Sequence, residues 1–158
     1  MDKTVIILKQ NKDRGKTSTL NYLIDMFKAI ATAPCLDAPS FPDVEDQAVV
    51  IPIERERIGI VTLGDPGYED QFQTWLDFCH NNKCDVIVVA TRTQQTADGI
   101  DTPYKLIWEF INKESYKAFE TSPYVTYNHY GQMNTDELNK LCAEGLFNTI
   151  KYLIKMSL

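Results

Sequence analysis

A chain of 158 residues, 44% hydrophobic and 24% charged, can bury a core without disulfide staples, and a single domain over 1–158 is expected. Sixteen Lys and Arg against 22 Asp and Glu give a formal charge of −6, which excludes a broad nonspecific surface for nucleic acid or anionic membrane. The opening apolar run at 5–9 is too short for a signal core or a membrane span. Cys35, Cys79, Cys84 and Cys142 lie scattered, as reduced thiols do, so a cytoplasmic protein is expected.

Residues 4–9 (TVIILK) are a β-branched run and predict a buried strand. A helix follows over 16–31, with Leu20, Leu23, Ile24, Phe27 and Ile30 on one face at three- and four-residue spacing. The stretch 32–48 holds Pro34, Pro39 and Pro42 and reads as an irregular acidic loop. Two strands are predicted next, 48–53 and 57–63. The short link between them suits an antiparallel hairpin, and Pro52 puts the first strand at an edge. After the loop Gly64-Asp65-Pro66-Gly67 comes a helix near 68–81, with Phe72, Trp75, Leu76 and Cys79 inward, then a strand at 85–91. The polar loop 92–99 leads to a helix near 102–117, for which Asp101 is the expected N-cap and Pro103 a first-turn residue. A last strand at 124–128 and an amphipathic helix at 134–156, with Leu138, Leu141, Cys142, Ile150 and Leu153 inward, complete the chain. This alternation predicts a three-layer α/β/α sandwich with a mostly parallel sheet and one antiparallel hairpin. Ligands of such sheets sit beyond the carboxyl ends of the strands.

The stretch that carries chemistry is Gln10-Asn11-Lys12-Asp13-Arg14-Gly15-Lys16-Thr17, between the first strand and the first helix. It follows the pattern G-x-x-x-x-G-K-[ST] except that Gln10 replaces the first glycine. Gly15 permits a tight turn close to an anion, Lys16 can reach terminal phosphate oxygens, and the Thr17 hydroxyl can ligate Mg²⁺. The helix N-terminus adds free N–H groups and a partial positive charge.

This stretch resembles the Walker A motif of the P-loop NTPase superfamily. The resemblance implies a P-loop NTPase-like fold that binds ATP or GTP with Mg²⁺. It assigns the phosphate-binding set to Asn11, Lys12, Asp13, Arg14, Gly15, Lys16, Thr17 and Ser18, with Thr17 at the metal. Asp65, after the strand 57–63, resembles a Walker B aspartate, expected as a second metal ligand at the end of a neighbouring strand. Arg92, at the end of 85–91, is a candidate for stabilising charge on the γ-phosphate, with Arg14 its rival. Lys16, Asp65 and Arg92 are thus the candidate catalytic groups. No general base stands out; Glu54 and Gln94 are the candidates. Small GTPases end the corresponding strand in D-x-x-G, where this chain has Asp65-Pro66-Gly67, and read guanine with N-K-x-D after a later strand, where the end of 85–91 gives Thr91-Arg92-Thr93-Gln94, so guanine specificity is unsupported and the sequence does not choose between ATP and GTP.

A Mg²⁺-dependent NTPase is the leading expectation. A small-molecule kinase fits less well, because 113–130 holds none of the arginines of a lid. A third class is a non-enzymatic module with a degenerate P-loop, meeting a protein partner or a second copy through the acidic loop and the tyrosine run 124–130 (YVTYNHY). The run Cys79-His80-Asn81-Asn82-Lys83-Cys84 lacks the second ligand pair of a structural zinc site.

Overall fold

The computed structural model describes residues 2–9, 16–92, 102–122 and 135–156. Its elements are β1 (Thr4–Lys9), α1 (Lys16–Lys28), β2 (Leu36–Asp37), β3 (Ala48–Ile53), β4 (Glu56–Val61), α2 (Glu69–Asn81), β5 (Val86–Thr91), α3 (Pro103–Glu114), β6 (Lys117–Thr121) and α4 (Thr135–Met156). The six strands form one mixed sheet in the order β2-β3-β4-β5-β1-β6. β4, β5, β1 and β6 run parallel, and β3 runs against both of its neighbours.

Period-two alternation sends each strand's side chains to two cores. Ile6, Leu8, Val49, Ile51, Ile58, Ile60, Val86 and Val88 pack with Leu20, Leu23, Ile24 and Phe27 of α1 and with Ala143, Leu146, Ile150 and Ile154 of α4. Val5, Ile7, Val50, Val61, Ile87 and Val89 pack with Phe72, Trp75 and Leu76 of α2 and Ile107, Phe110 and Ile111 of α3. Two helices on each face are compatible with three layers. Each fully buried aliphatic or aromatic side chain stabilises by roughly 1.5–3 kcal/mol, so both faces contribute to the fold.

Several expectations change. α1 stops at Lys28, and Ile30, expected inward, is 42% exposed; Leu141 of α4 is exposed to the same extent. α3 ends at Glu114 because Ser115 adopts a left-handed conformation at φ 59°. Thr102, not Asp101, holds its N-cap position, and Pro103 opens the first turn as expected. The freed residues 117–121 form β6, an edge strand whose polar sequence KAFET gave no apolar run. The strand predicted at 124–128 lies outside the described residues.

Pro52 does not mark β3 as the outermost strand, since β2 pairs with its first half through Leu36↔Val50 and Asp37↔Val49. Pro52 lies beyond that pairing. Its carbonyl accepts from Thr32 N at 3.0 Å on the side away from β4, so the N–H that proline lacks is missing where no strand needs it.

The acidic stretch before β3 is held against the sheet. Trp75 Nε1 donates to Pro39 O at 2.8 Å, Phe41 stacks on Trp75 at 5.5 Å between centroids, and Ala38 and Val44 pack on the α2–α3 core. Among the described residues, no helix is long and apolar enough to cross a membrane.

Candidate functional site

β1 lies between β5 and β6. From β1 the chain crosses through α1, on one face, toward β2 and β3; from β5 it crosses through α3, on the other face, to β6. The connections therefore diverge at β1 and β5, which makes the space beyond their carboxyl ends the topological switch point where open α/β sheets hold ligands. Lys9 and Thr91 end the two strands side by side there.

Of the phosphate-binding set, Asn11, Lys12, Asp13, Arg14 and Gly15 lie outside the described residues, as does Gln10. Lys16, Thr17 and Ser18 form the first turn of α1, Lys16 buried at 7% exposure and the other two exposed. A helix's first turn leaves backbone N–H groups without intrahelical partners, and such groups favour anions.

The Thr17 hydroxyl donates to Asp46 Oδ1 at 3.5 Å, and the fully buried Thr62 hydroxyl donates to the same oxygen at 2.9 Å. Asp46 reaches this place through hairpin register. Ala48 pairs with Val61, and Thr62 N donates to Gln47 O at 3.0 Å, extending the ladder by one pair. The residue before that pair then stands at the carboxyl end of β4. Gln47 N donates back to Thr62 Oγ1 at 3.0 Å and fixes the hydroxyl. Burial pushes the Asp46 carboxyl above the usual carboxylate range; the charges of Asp65 and Glu45 push the same way, and the bonds from Thr62 and Thr17 offset part of the rise.

Asp65 does follow a sheet strand, but β5 intervenes between that strand and β1. Gly64 explains its path. A Cβ at Gly64 would lie 3.1 Å from the Ala90 backbone, so glycine lets the chain leaving β4 press closely against β5 without crowding. Asp65 thereby meets Arg92, whose Nη2 lies 2.6 Å from its Oδ1; the arginine side chain is 19% exposed and the aspartate 51%. The structure thus joins two of the predicted site residues to each other. Arg92 Nε, Thr91 Oγ1 and Thr19 Oγ1 are buried without a hydrogen-bond partner among the described residues.

On the β6 side of β1, Tyr104 Oη and Trp108 Nε1 donate to Glu120 Oε1 at 2.5 and 3.3 Å. Lys9 Nζ lies 4.5 Å from the Tyr104 ring centroid and 4.0 Å from Glu120 Oε2. This aromatic and acidic cluster flanks the crevice opposite Asp46. Glu54, proposed as a base, sits on the β3–β4 turn at the far end of the sheet and is ruled out of the site. Gln94 lies outside the described residues.

Sequence reasoning missed Asp46, Thr62 and the Glu120 cluster. The signal for Asp46 was available: once the hairpin is registered, the acid preceding its first strand must face the end of its second. Glu120 offered none, because its strand was unrecognised.

No family model matches the chain, and no curated protein or solved structure matches it.

Proposed function

We propose that this protein is a P-loop-like nucleotide-binding protein that holds the phosphates of ATP or GTP with Mg²⁺ at the start of α1 and hydrolyses the terminal phosphate. The observation that carries the reading is the convergence of Thr17, in the first turn after the Gly15-Lys16 sequence, with the Asp46 carboxylate at the switch point.

The donor chemistry fits the ion. Thr17, Asp46 and Asp65 offer only hard oxygen atoms, which suit Mg²⁺, and the charge of Asp65 acts on Asp46. Among the described residues no three His, Cys, Asp or Glu side chains converge as a metal cage. Mg²⁺ takes one or two protein carboxylates and fills the remaining positions with phosphate oxygens and water. When bound, the ion neutralises charge on the β- and γ-phosphate oxygens. Lys16 supplies a second positive charge to those oxygens. Thr62 orients Asp46. Arg92 restrains Asp65 and carries an Nε that has no hydrogen-bond partner among the described residues and can meet a phosphate oxygen. With the metal end on the β4 side, the nucleoside lies toward β6, beside Tyr104 and Trp108.

One observation favours a second reading, a binding module without turnover: the Asp65–Arg92 pair neutralises two of the groups that catalysis needs. Calorimetric titration with Mg²⁺-ATP and Mg²⁺-GTP tests the common part. Saturable heat is expected with at least one of them. Lys16→Ala should weaken it by about 10- to 100-fold, the worth of a charge-assisted hydrogen bond. Silence with both nucleotides at millimolar concentration would remove the proposal. Free phosphate accumulating over time then marks hydrolysis, its appearance on an acceptor marks a kinase, and neither marks the module.

A further inference from the structure

At the opposite end of the sheet, α2 turns into β5 through a tight backbone path. Asn82 caps the helix and its Nδ2 donates to Phe78 O at 2.8 Å; Lys83 is left-handed at φ 59°; Cys84 N then donates to Cys79 O at 3.1 Å. That bond holds the Cα atoms of Cys79 and Cys84 within about 7 Å by standard bond lengths. Their side chains converge on β4. A Cβ at Gly59 would lie 2.7 Å from Cys79 Sγ and 3.0 Å from Cys84 Sγ, so the space beside this glycine is filled by the two sulfurs. Both thiols are free and both are fully buried. Cys142 and Cys35 belong to the core on the other face.

A polar chain leads outward from the same cluster. Tyr116, 6% exposed, belongs to the same buried cluster as the two cysteines. Its hydroxyl lies 3.0 Å from His80 Nδ1, and His80 Nε2 lies 2.9 Å from Glu114 Oε2, with both of those side chains about one-quarter exposed. His80 therefore spends its nitrogens on Tyr116 and Glu114, not on the sulfurs.

We propose that Cys79 and Cys84 form a dithiol site that hydrogen peroxide oxidises to a disulfide, with protons crossing to solvent through Tyr116 and His80. One thiol releases its proton to this chain, and its sulfur attacks a peroxide oxygen. The O–O bond breaks, leaving a sulfenic acid and a hydroxide that takes up a proton to become water. The second sulfur attacks the sulfenic sulfur, the S–O bond breaks, and the oxygen leaves with the second thiol proton as another water. The sulfurs lose two electrons and the peroxide gains them. A small neutral oxidant suits a buried pair. The hydrogen bond with Cys84, with burial behind it, holds the Cys79 thiol well above its ordinary value, so closure is slow and answers sustained exposure.

The test uses the full chain and is independent of nucleotide binding. The protein is incubated with millimolar hydrogen peroxide, quenched, denatured, alkylated and digested with trypsin, which cuts between the cysteines at Lys83. Peptides 58–83 and 84–92 should emerge joined, two hydrogens lighter than their sum, and should separate with dithiothreitol. Tyr116→Phe should slow closure several-fold without altering the final bridge. Full alkylation of both cysteines after exposure, or sulfinic acid on either without a bridge, would overturn the site. Closure at an unchanged rate in Tyr116→Phe would overturn the proton path.

Discussion

At the amino ends of the strands, Asp85 Oδ2 accepts from Arg57 N at 3.0 Å, Arg57 Nη1 donates to Asn82 O at 3.0 Å, and Asp85 N, Thr4 N and Lys117 N all donate to neighbouring carbonyls at 2.8–2.9 Å. At the carboxyl ends, the Thr91 hydroxyl and Arg92 Nε are buried without partners among the described residues, and Asp46 and Asp65 press like charges together. Among the described residues, one sheet thus ends in closed polar bonding on one side and in polar atoms without partners on the other. Unmet hydrogen-bonding capacity and crowded charge cost stability, and folds retain them where a ligand completes them. The contrast is independent of any motif and supports placing the proposed site at the carboxyl ends.

Mutations can break or sharpen this contrast. The largest effect is expected for Gly59→Ala near the closed end. The added methyl meets two sulfurs at 2.7–3.0 Å, and overpacking of this kind costs about 1–3 kcal/mol, read as a fall in the urea midpoint, with nucleotide affinity unchanged. Asp85→Ala removes the acceptor of Arg57 N and should cost about 0.5–1.5 kcal/mol in the same assay, again sparing affinity. Thr62→Val should cost about 1 kcal/mol of stability, but because the hydroxyl orients Asp46 it should also weaken Mg²⁺-dependent nucleotide binding by several-fold. A loss of stability alone would make the carboxyl end equivalent to the amino end.

The smallest effect has the opposite sign. The Asp46 carboxyl is raised in the folded protein, so without metal its ionisation opposes folding. The cost is absent below the unfolded carboxylate value, grows as pH rises toward the folded value, and is fully present above it. Asp46→Asn should therefore melt slightly higher than the parent at neutral pH, with the two curves meeting in acid, while losing the stabilisation that Mg²⁺ confers on the nucleotide complex. A lower melting temperature at neutral pH would contradict this.

Most of the fold was legible because the apolar alternation of residues such as Val5–Leu8 and Val86–Ala90 encodes burial on both faces. The Gly15-Lys16-Thr17 sequence points to the same end of the sheet as the strand order does. The rest was hidden for physical reasons. β6 exposes Lys117, Phe119 and Glu120, so burial left no trace in its pattern. The insertion of β5 between β4 and β1 is a matter of strand order, which local sequence does not carry. Asp46 was obscured by the irregular composition of 32–48, although Phe41 and Val44 in that stretch are the apolar side chains that hold it down.

The indole of Trp75 is 1% exposed and bonded to Pro39, seven residues before Asp46, whereas Trp108 is half-buried beside Glu120. The molecule therefore carries two fluorophores of unlike environment, one on each flank of the crevice. Displacement of the segment that leads from Pro39 to Asp46 should disturb the sheltered emitter, and the nucleoside, if it lies toward β6 as proposed, should quench the wetter one, so single-tryptophan variants would resolve which responds first.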